Sequence, residues 1–279
     1  MFGIKSCAVF VFSSLFVFLL AAASAQDNPL QRFQGLQGNL DIAGGTAHIP
    51  VMKEAAMLIM KANPNIRITV AGGGSGVGIQ KVGEGLVNIG NTGRAPSKDE
   101  IEKYGLKSFP FAIDGVAVAV HPKNPVSDLT PEKVQAIYAG AITSWKDLGG
   151  PNAPINLYTR DEASGTREVF WKKLLKKGPV AVKANVVPSN GAMKVAIAQD
   201  VNAIGYLGIG HVDKTVKAVK LNGVEPTQEN AKSSVYPVVR QLYMNTKGDP
   251  TPLAQVFIDF ILSPEGAQIS RKHGYIPLQ

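Results

Sequence analysis

Apolar and polar positions change their period many times along the chain, and each change marks an element. Residues 39–44, NLDIAG, read as a strand. Over 47–62, Ile49, Met52, Ala56, Ile59 and Met60 fall at helical spacing, and Asn63-Pro64 closes that helix. Residues 66–70, IRITV, alternate and are β-branched, which predicts a strand. A glycine-rich turn with a short helix follows over 72–84, then a strand over 86–90. Ser97, with Glu100 three residues on, forms a capping box for the next helix.

The run 109–120, FPFAIDGVAVAV, is apolar without a helical period and predicts a buried strand. Thr130-Pro131 places an N-cap before a proline at the first helical position. Beyond it the pattern predicts strands at 155–159, 203–207 and 237–245. Helices are predicted at 166–177, 192–199, 252–262 and 264–272. Such alternation predicts an α/β fold with largely parallel sheets. The two long strand candidates, one mid-chain and one late, divide the chain into outer and inner portions. That predicts two lobes joined by two crossings.

The start of the chain follows different rules. Lys5 is the only charge before Asp27, residues 8–23 are apolar or small, and Ala23-Ser24-Ala25 precedes Gln26. This predicts a secretory signal over 1–25, cleaved after Ala25. The run is short for a spanning helix, which needs about 20 apolar residues. The sole cysteine, Cys7, lies inside it. The mature chain would therefore hold no thiol, which excludes disulfide and zinc–thiolate chemistry.

Composition narrows the function classes. Hydrophobic residues make up 45% and charged residues 18% of the 279, so wholesale disorder is excluded. The net charge of +8 calls for anionic partners without naming one. Basic residues are dispersed and aromatics reach 7%, which argues against nucleic acid. Lys172-Lys173 and Lys176-Lys177 read as a solvated face. Glycine, at 29 residues, exceeds the average of about 7%.

Ten of those glycines sit in four loops of one form: a strand, then Gly with Ser or Thr, then a helix start. The loops are Gly44-Gly45-Thr46, GGGSGVG at 72–78, GNTGR at 90–94 and RDEASGT at 160–166. A helix start leaves backbone N–H groups unpaired at the positive end of its dipole, a ready site for an oxyanion. Ser and Thr add hydroxyl donors, and Arg160 a planar cationic fork that Glu162 would orient. Taken singly, each loop reads as a cap or tight turn, and Arg94 or Arg160 as a structural charge. Four loops together point to a shared anion.

Catalytic patterns fit poorly. The glycine run is neither GxGxxG, a P-loop nor a GxSxG elbow. His48, His121, His211 and His273 are scattered without metal-ligand spacing. His48 follows Thr46 closely, which would place it near a ligand; the preferred reading is a surface or capping histidine.

At this point the residues resemble a known family, the periplasmic phosphate-binding proteins of bacterial phosphate ABC transporters. The resemblance spans about residues 38–278. Its motifs are GGT at 44–46, GGGSGVG at 72–78, NIGNTGR at 88–94 and IDGVAVAVHPKNPV at 113–126. IYAGAITSWKDLGG at 137–150, RDEASGTREVF at 160–170 and LSPEGAQISRKHGYIPL at 262–278 complete it. The resemblance implies a two-lobed type II periplasmic binding fold. One lobe would hold 26–113 with 240–279, the other 114–239, with two crossing strands as the hinge. It implies phosphate held among Thr46, Ser75, Arg160, Ser164, Gly165 and Thr166, with Thr92 as a further contact and Gly45 nearby. It implies a monomeric, non-catalytic protein without metal or cofactor, which delivers phosphate to membrane permease subunits. Rival readings are a binding protein for sulfate or molybdate and an exported phosphoester hydrolase.

The third loop departs from the long-chain members. They carry there an Asp that accepts the proton of bound phosphate; here Gly93 is followed by Arg94, as in shorter members. Asp114, at the start of the hinge strand, is either the substitute acceptor or a structural hinge residue.

Overall fold

The structure, a computed structural model, describes residues 29–278. The predicted signal and its cleavage site lie outside the described residues. Among the described residues no helix is long and apolar enough to cross a membrane.

The chain opens with β1 (Gly38–Gly44), α1 (Ile49–Ala62), β2 (Ile66–Gly73), α2 (Ser75–Gly83), β3 (Ile89–Thr92) and α3 (Lys98–Tyr104). β1 lies between β2 and β3, parallel to both. The third strand sits later than its apolar residues suggest, because Leu86 faces solvent and Ile89 takes the buried place. The capping box of α3 is formed as predicted, with Ser97 Oγ accepting from Glu100 N.

A 15-residue strand, β4 (Leu106–Val120), then leaves this region. After β5 (Asp128–Leu129) and α4 (Pro131–Ala139) come β6 (Asn156–Arg160), α5 (Gly165–Lys173), β7 (Asn185–Val187), α6 (Asn190–Gln199) and β8 (Ala203–Gly208). Here β6 runs parallel to β7 and β8. α5 ends four residues before its predicted end. Leu174 and Leu175 turn into the core, and Lys176 and Lys177 take left-handed φ values of 51° and 63°. The short β9 (Lys217–Ala218), β10 (Lys220–Leu221) and α7 (Gln228–Lys232) lack a periodic signature and escape the sequence reading.

The chain returns through β11 (Val239–Lys247) and ends with α8 (Pro252–Ile261), α9 (Pro264–Lys272) and β12 (Ile276–Pro277). β11 pairs antiparallel with the first part of β4, from Gly115 back to Leu106. The second part of β4, Val116 to Val120, pairs antiparallel with β8. The sheet is thus mixed rather than largely parallel. Its parallel wings flank two strands that run in opposite directions because the chain leaves on one and returns on the other.

Apolar burial follows the same division. One core draws on residues within 33–112 and 242–275, the other on residues within 116–238. Phe170 stacks on Tyr206 at 4.0 Å in the second. Burial of this kind, worth about 1.5–3 kcal/mol per large side chain, holds each wing together. The strand ends of both wings then face one another across a cleft, where ligands bind in open α/β sheets.

Candidate functional site

Three helix starts converge where the wings meet. The loop after β1 brings Gly45, Thr46 and Ala47 to the start of α1, β2 leads into Gly74 and Ser75 of α2, and β6 leads into Ser164, Gly165 and Thr166 of α5. Between them lies a small cavity. Arg160, Gly93 and Arg240 complete its wall. The sequence reading named Gly45, Thr46, Ser75, Arg160, Ser164, Gly165 and Thr166, and the structure brings these together.

Local backbone chemistry sets this arrangement. Gly74 caps α2 with φ +90°, and a Cβ there would meet the Ala163 carbonyl oxygen at 2.6 Å. Only glycine serves at this position. Gly76 N donates to the same carbonyl at 3.0 Å, so the second loop touches the fourth directly. A Cβ on Gly165 would strike Ser75 Oγ.

Arg160 is 2% exposed. Its Nε donates to Val187 O and its Nη2 to Pro188 O, each at 2.9 Å. Nη1 has no protein partner among the described residues. Burial lowers its pKa and the charge of Asp161 opposes that, but a guanidinium stays cationic throughout. A buried, unmatched cationic donor costs free energy unless an anion meets it.

The four hydroxyls are braced by N–H groups. Thr46 Oγ1 accepts from Asn190 N at 3.3 Å and from Asn190 Nδ2 at 3.1 Å. Thr166 Oγ1 accepts from Arg240 Nη1 at 2.8 Å and from Asn190 Nδ2 at 3.5 Å. Ser75 Oγ accepts from Gly93 N at 2.9 Å, and Ser164 Oγ from Arg167 N at 3.2 Å.

Four candidates stand apart from the cavity wall. Thr92 is buried, but its hydroxyl donates to Arg94 O at 2.7 Å and accepts from Asn245 Nδ2 at 3.0 Å, which braces the third loop instead. Arg94 points to the rim, where it holds Glu100 at 2.7 Å and reaches across the cleft to Glu168 at 2.5 Å. Glu162 is 92% exposed at its side chain and lies 3.8 Å from Arg167, so it does not orient Arg160. Asp114 pairs through Oδ2 with Arg240, its register partner across β4 and β11, accepting at 2.7 and 3.0 Å, while Oδ1 has no partner among the described residues. Burial pushes the Asp114 carboxyl up, and the Arg240 guanidinium pulls the other way. Asp114 lies where the two crossing strands pair, and it is outside the cavity wall.

His48 differs from its surface reading. It occupies the N-cap position of α1 without a side-chain cap bond and is buried against Phe111, ring centroids 5.5 Å apart. Burial, with Arg240 nearby, lowers its pKa to about 3, so the ring is neutral. Arg240 and Asn190 are the site residues that sequence reasoning missed. A charged residue inside the apolar strand pattern PVVRQLYMN was the available signal for Arg240; for Asn190, a helix-start residue, there was none. Among the described residues no cluster of His, Cys, Asp or Glu has metal-binding geometry.

Comparison with known proteins adds the following. Residues 31–265 match the PBP superfamily domain. Over 244 residues the chain is 36% identical to the phosphate-binding protein PstS of Bacillus subtilis, covering 86% of this chain and 81% of that protein. It is 32% identical over 289 residues to PstS of Pseudomonas aeruginosa, covering 92% and 90%. Among solved structures, a phosphate-bound ABC transporter substrate-binding protein from Clostridium perfringens superposes with TM-score 0.82 at 36% identity, over 87% of this chain and 100% of that one. An ABC-type phosphate transport receptor from Vibrio cholerae gives TM-score 0.69 at 33% identity, over 85% and 99%.

Proposed function

We propose, from the premise that this chain belongs to the PstS phosphate-binding proteins of the PBP superfamily, that it captures inorganic phosphate in the cleft and delivers it to an ABC transporter permease. One observation carries this reading: a buried arginine with an unmatched Nη1, ringed by hydroxyls and three helix starts, on the wall of one small cavity.

The mechanism is binding, and no bond is made or broken. Thr46 and Ser75 come from one wing; Arg160, Ser164 and Thr166 come from the other. An anion between them contacts both, so it favours the arrangement in which the wings meet. Dehydrating phosphate is costly, and a full shell of donors offsets that cost. Arg160 supplies the charge, the helix starts supply oriented dipoles, and the hydroxyls supply directed protons. The bond between Arg94 and Glu168 at the rim adds a contact available only when the wings touch.

In this reading the lobes are 26–113 with 240–279, and 114–239. The signal over 1–25 is removed after Ala25, and the mature protein works outside the cytoplasmic membrane as a monomer. Calorimetric titration of the mature protein with inorganic phosphate tests the reading. Saturable heat at one anion per chain is expected; no heat would overturn it.

A further inference from the structure

Asn190 stands outside the cavity wall and still ties the two wings together. It is fully buried at the first position of α6. The preceding Ser189 caps that helix, with Oγ accepting from Ala192 N at 2.9 Å, so the amide of Asn190 is free for other partners. Its Oδ1 accepts from Gly208 N, at the end of β8 in the same wing, at 3.1 Å. A backbone N–H can only donate, so this bond fixes which end of the amide is the oxygen. Nδ2 then faces the other wing and donates to Thr46 Oγ1 at 3.1 Å. Asn190 N donates to the same oxygen at 3.3 Å.

The residues just before Asn190 hold the cation. Val187 O and Pro188 O both accept from Arg160. The stretch 187–190 therefore grips Arg160 of its own wing through carbonyls and Thr46 of the other wing through N–H groups. A hydroxyl has one proton and two lone pairs. Two N–H groups on Thr46 Oγ1 leave its proton as the remaining bond, directed away from Asn190, and Thr46 lines the cavity.

We propose that Asn190 is a positioning residue for phosphate: its amide clasps Thr46 across the cleft, holds the Thr46 proton toward the anion and stabilises the arrangement in which the wings meet. The inference rests on the phosphate reading above. Thr46 and Asn190 lie 144 positions apart and on different wings, so their bond forms only when the wings meet. When the wings part, both groups return to water, and the bond therefore adds to the closed arrangement alone. Such a contact slows release of the anion and leaves its capture unchanged.

Asn190→Asp separates the two ends of the side chain. It keeps an oxygen for Gly208 N and replaces the donor to Thr46 with a second oxygen. The Thr46 hydroxyl then turns its proton to that carboxylate and away from the anion. Calorimetry with inorganic phosphate should read an affinity about 30-fold weaker in Asn190→Asp and about tenfold weaker in Asn190→Ala. Stopped-flow kinetics should place the Asn190→Ala loss in faster release, with association unchanged. A merely structural role would not couple to Thr46, so a double-mutant cycle decides between the two. Thr46→Val should weaken phosphate by a factor about threefold or more smaller in the Asn190→Ala background than in the wild type. Losses that simply multiply, or wild-type affinity in Asn190→Asp, would overturn the proposal and leave the phosphate reading intact. A wild-type protein that does not bind phosphate would overturn both. If the Asn190 variants do not fold, nuclear magnetic resonance of the isotope-labelled wild type decides. Exchange of the Asn190 side-chain amide protons with water should slow when phosphate is added, and an unchanged rate would overturn the clasp.

Discussion

Two arginines reach the same cavity from different places, and they do different work. Arg160 ends β6, gives two N–H groups to carbonyls and keeps Nη1 unmatched. Arg240 sits within β11 and meets its register partner Asp114 through two nitrogens, with Nη1 left to brace Thr166. Both are almost fully buried. The lesson is that burial of a cation does not by itself mark an anion site; the partner count does. Arg240 with Asp114 is a neutral strut at the point where the two crossing strands pair. Arg160 is a cation whose Nη1 has no hydrogen-bond partner among the described residues.

Removing the strut should have the largest effect. Asp114→Asn leaves Arg240 buried and uncompensated, which costs about 3 kcal/mol of folding stability. Denaturant unfolding with and without phosphate checks it. Because the freed guanidinium adjoins the cavity, the stabilisation gained from phosphate should exceed that of the wild type. A stable variant with unchanged phosphate response would erase the distinction between the two arginines.

Removing the other arginine should act on binding instead. Arg160→Ala is expected to weaken phosphate by at least about 2 kcal/mol, roughly 30-fold. Calorimetry measures the loss, and affinity equal to the wild type would remove Arg160 from the site.

A third test uses the histidines beside these cations. Burial, with Arg240 contributing, holds His48 down to about 3, and burial, with Lys194 and Arg240 contributing, holds His211 down to about 4, from the ordinary 6.5. The unfolded chain therefore binds more protons than the folded one once the pH falls below 6.5. The stability from the neutral rings is full above that value and is lost as acid approaches the folded values. Unfolding titrations should show a loss of more than about 1 kcal/mol between neutral and mildly acid pH. A flat profile would mean that the rings are solvated.

The smallest effect belongs to the rim. Glu168→Gln breaks the contact with Arg94 across the cleft, and such partly exposed pairs are worth about 1 kcal/mol or less. Stopped-flow release of phosphate should quicken modestly, and less so at high salt. A loss as large as that of Arg160→Ala would move the rim pair into the site proper.

Much of this was legible in the sequence because local rules govern it. Capping boxes, prolines at helix starts and β-branched alternation place α3, α4 and β2 from neighbouring residues alone. The loop glycines were legible for the same reason: a glycine before a helix start has few uses, and four such loops suggest one ligand. Pairings between distant residues were not. Nothing near Arg240 says that its partner lies 126 positions away, and nothing near Thr46 points to Asn190, 144 positions on. Arg94 shows the limit from the other side. Its place after a glycine loop suggests an anion ligand, yet Glu100 and Glu168 together claim its guanidinium. Which loop residues face the cavity is settled by how the wings meet, which no local pattern encodes.

The central claim is that the unmatched Nη1 of Arg160 is the group that meets the anion. A crystal structure of the mature protein grown with inorganic phosphate tests it most directly. The account predicts a phosphate oxygen about 2.8 Å from Arg160 Nη1, with the remaining oxygens among Thr46, Ser75, Ser164 and Thr166. Phosphate bound elsewhere, or seated in the cavity with Arg160 Nη1 out of hydrogen-bond reach, would contradict it.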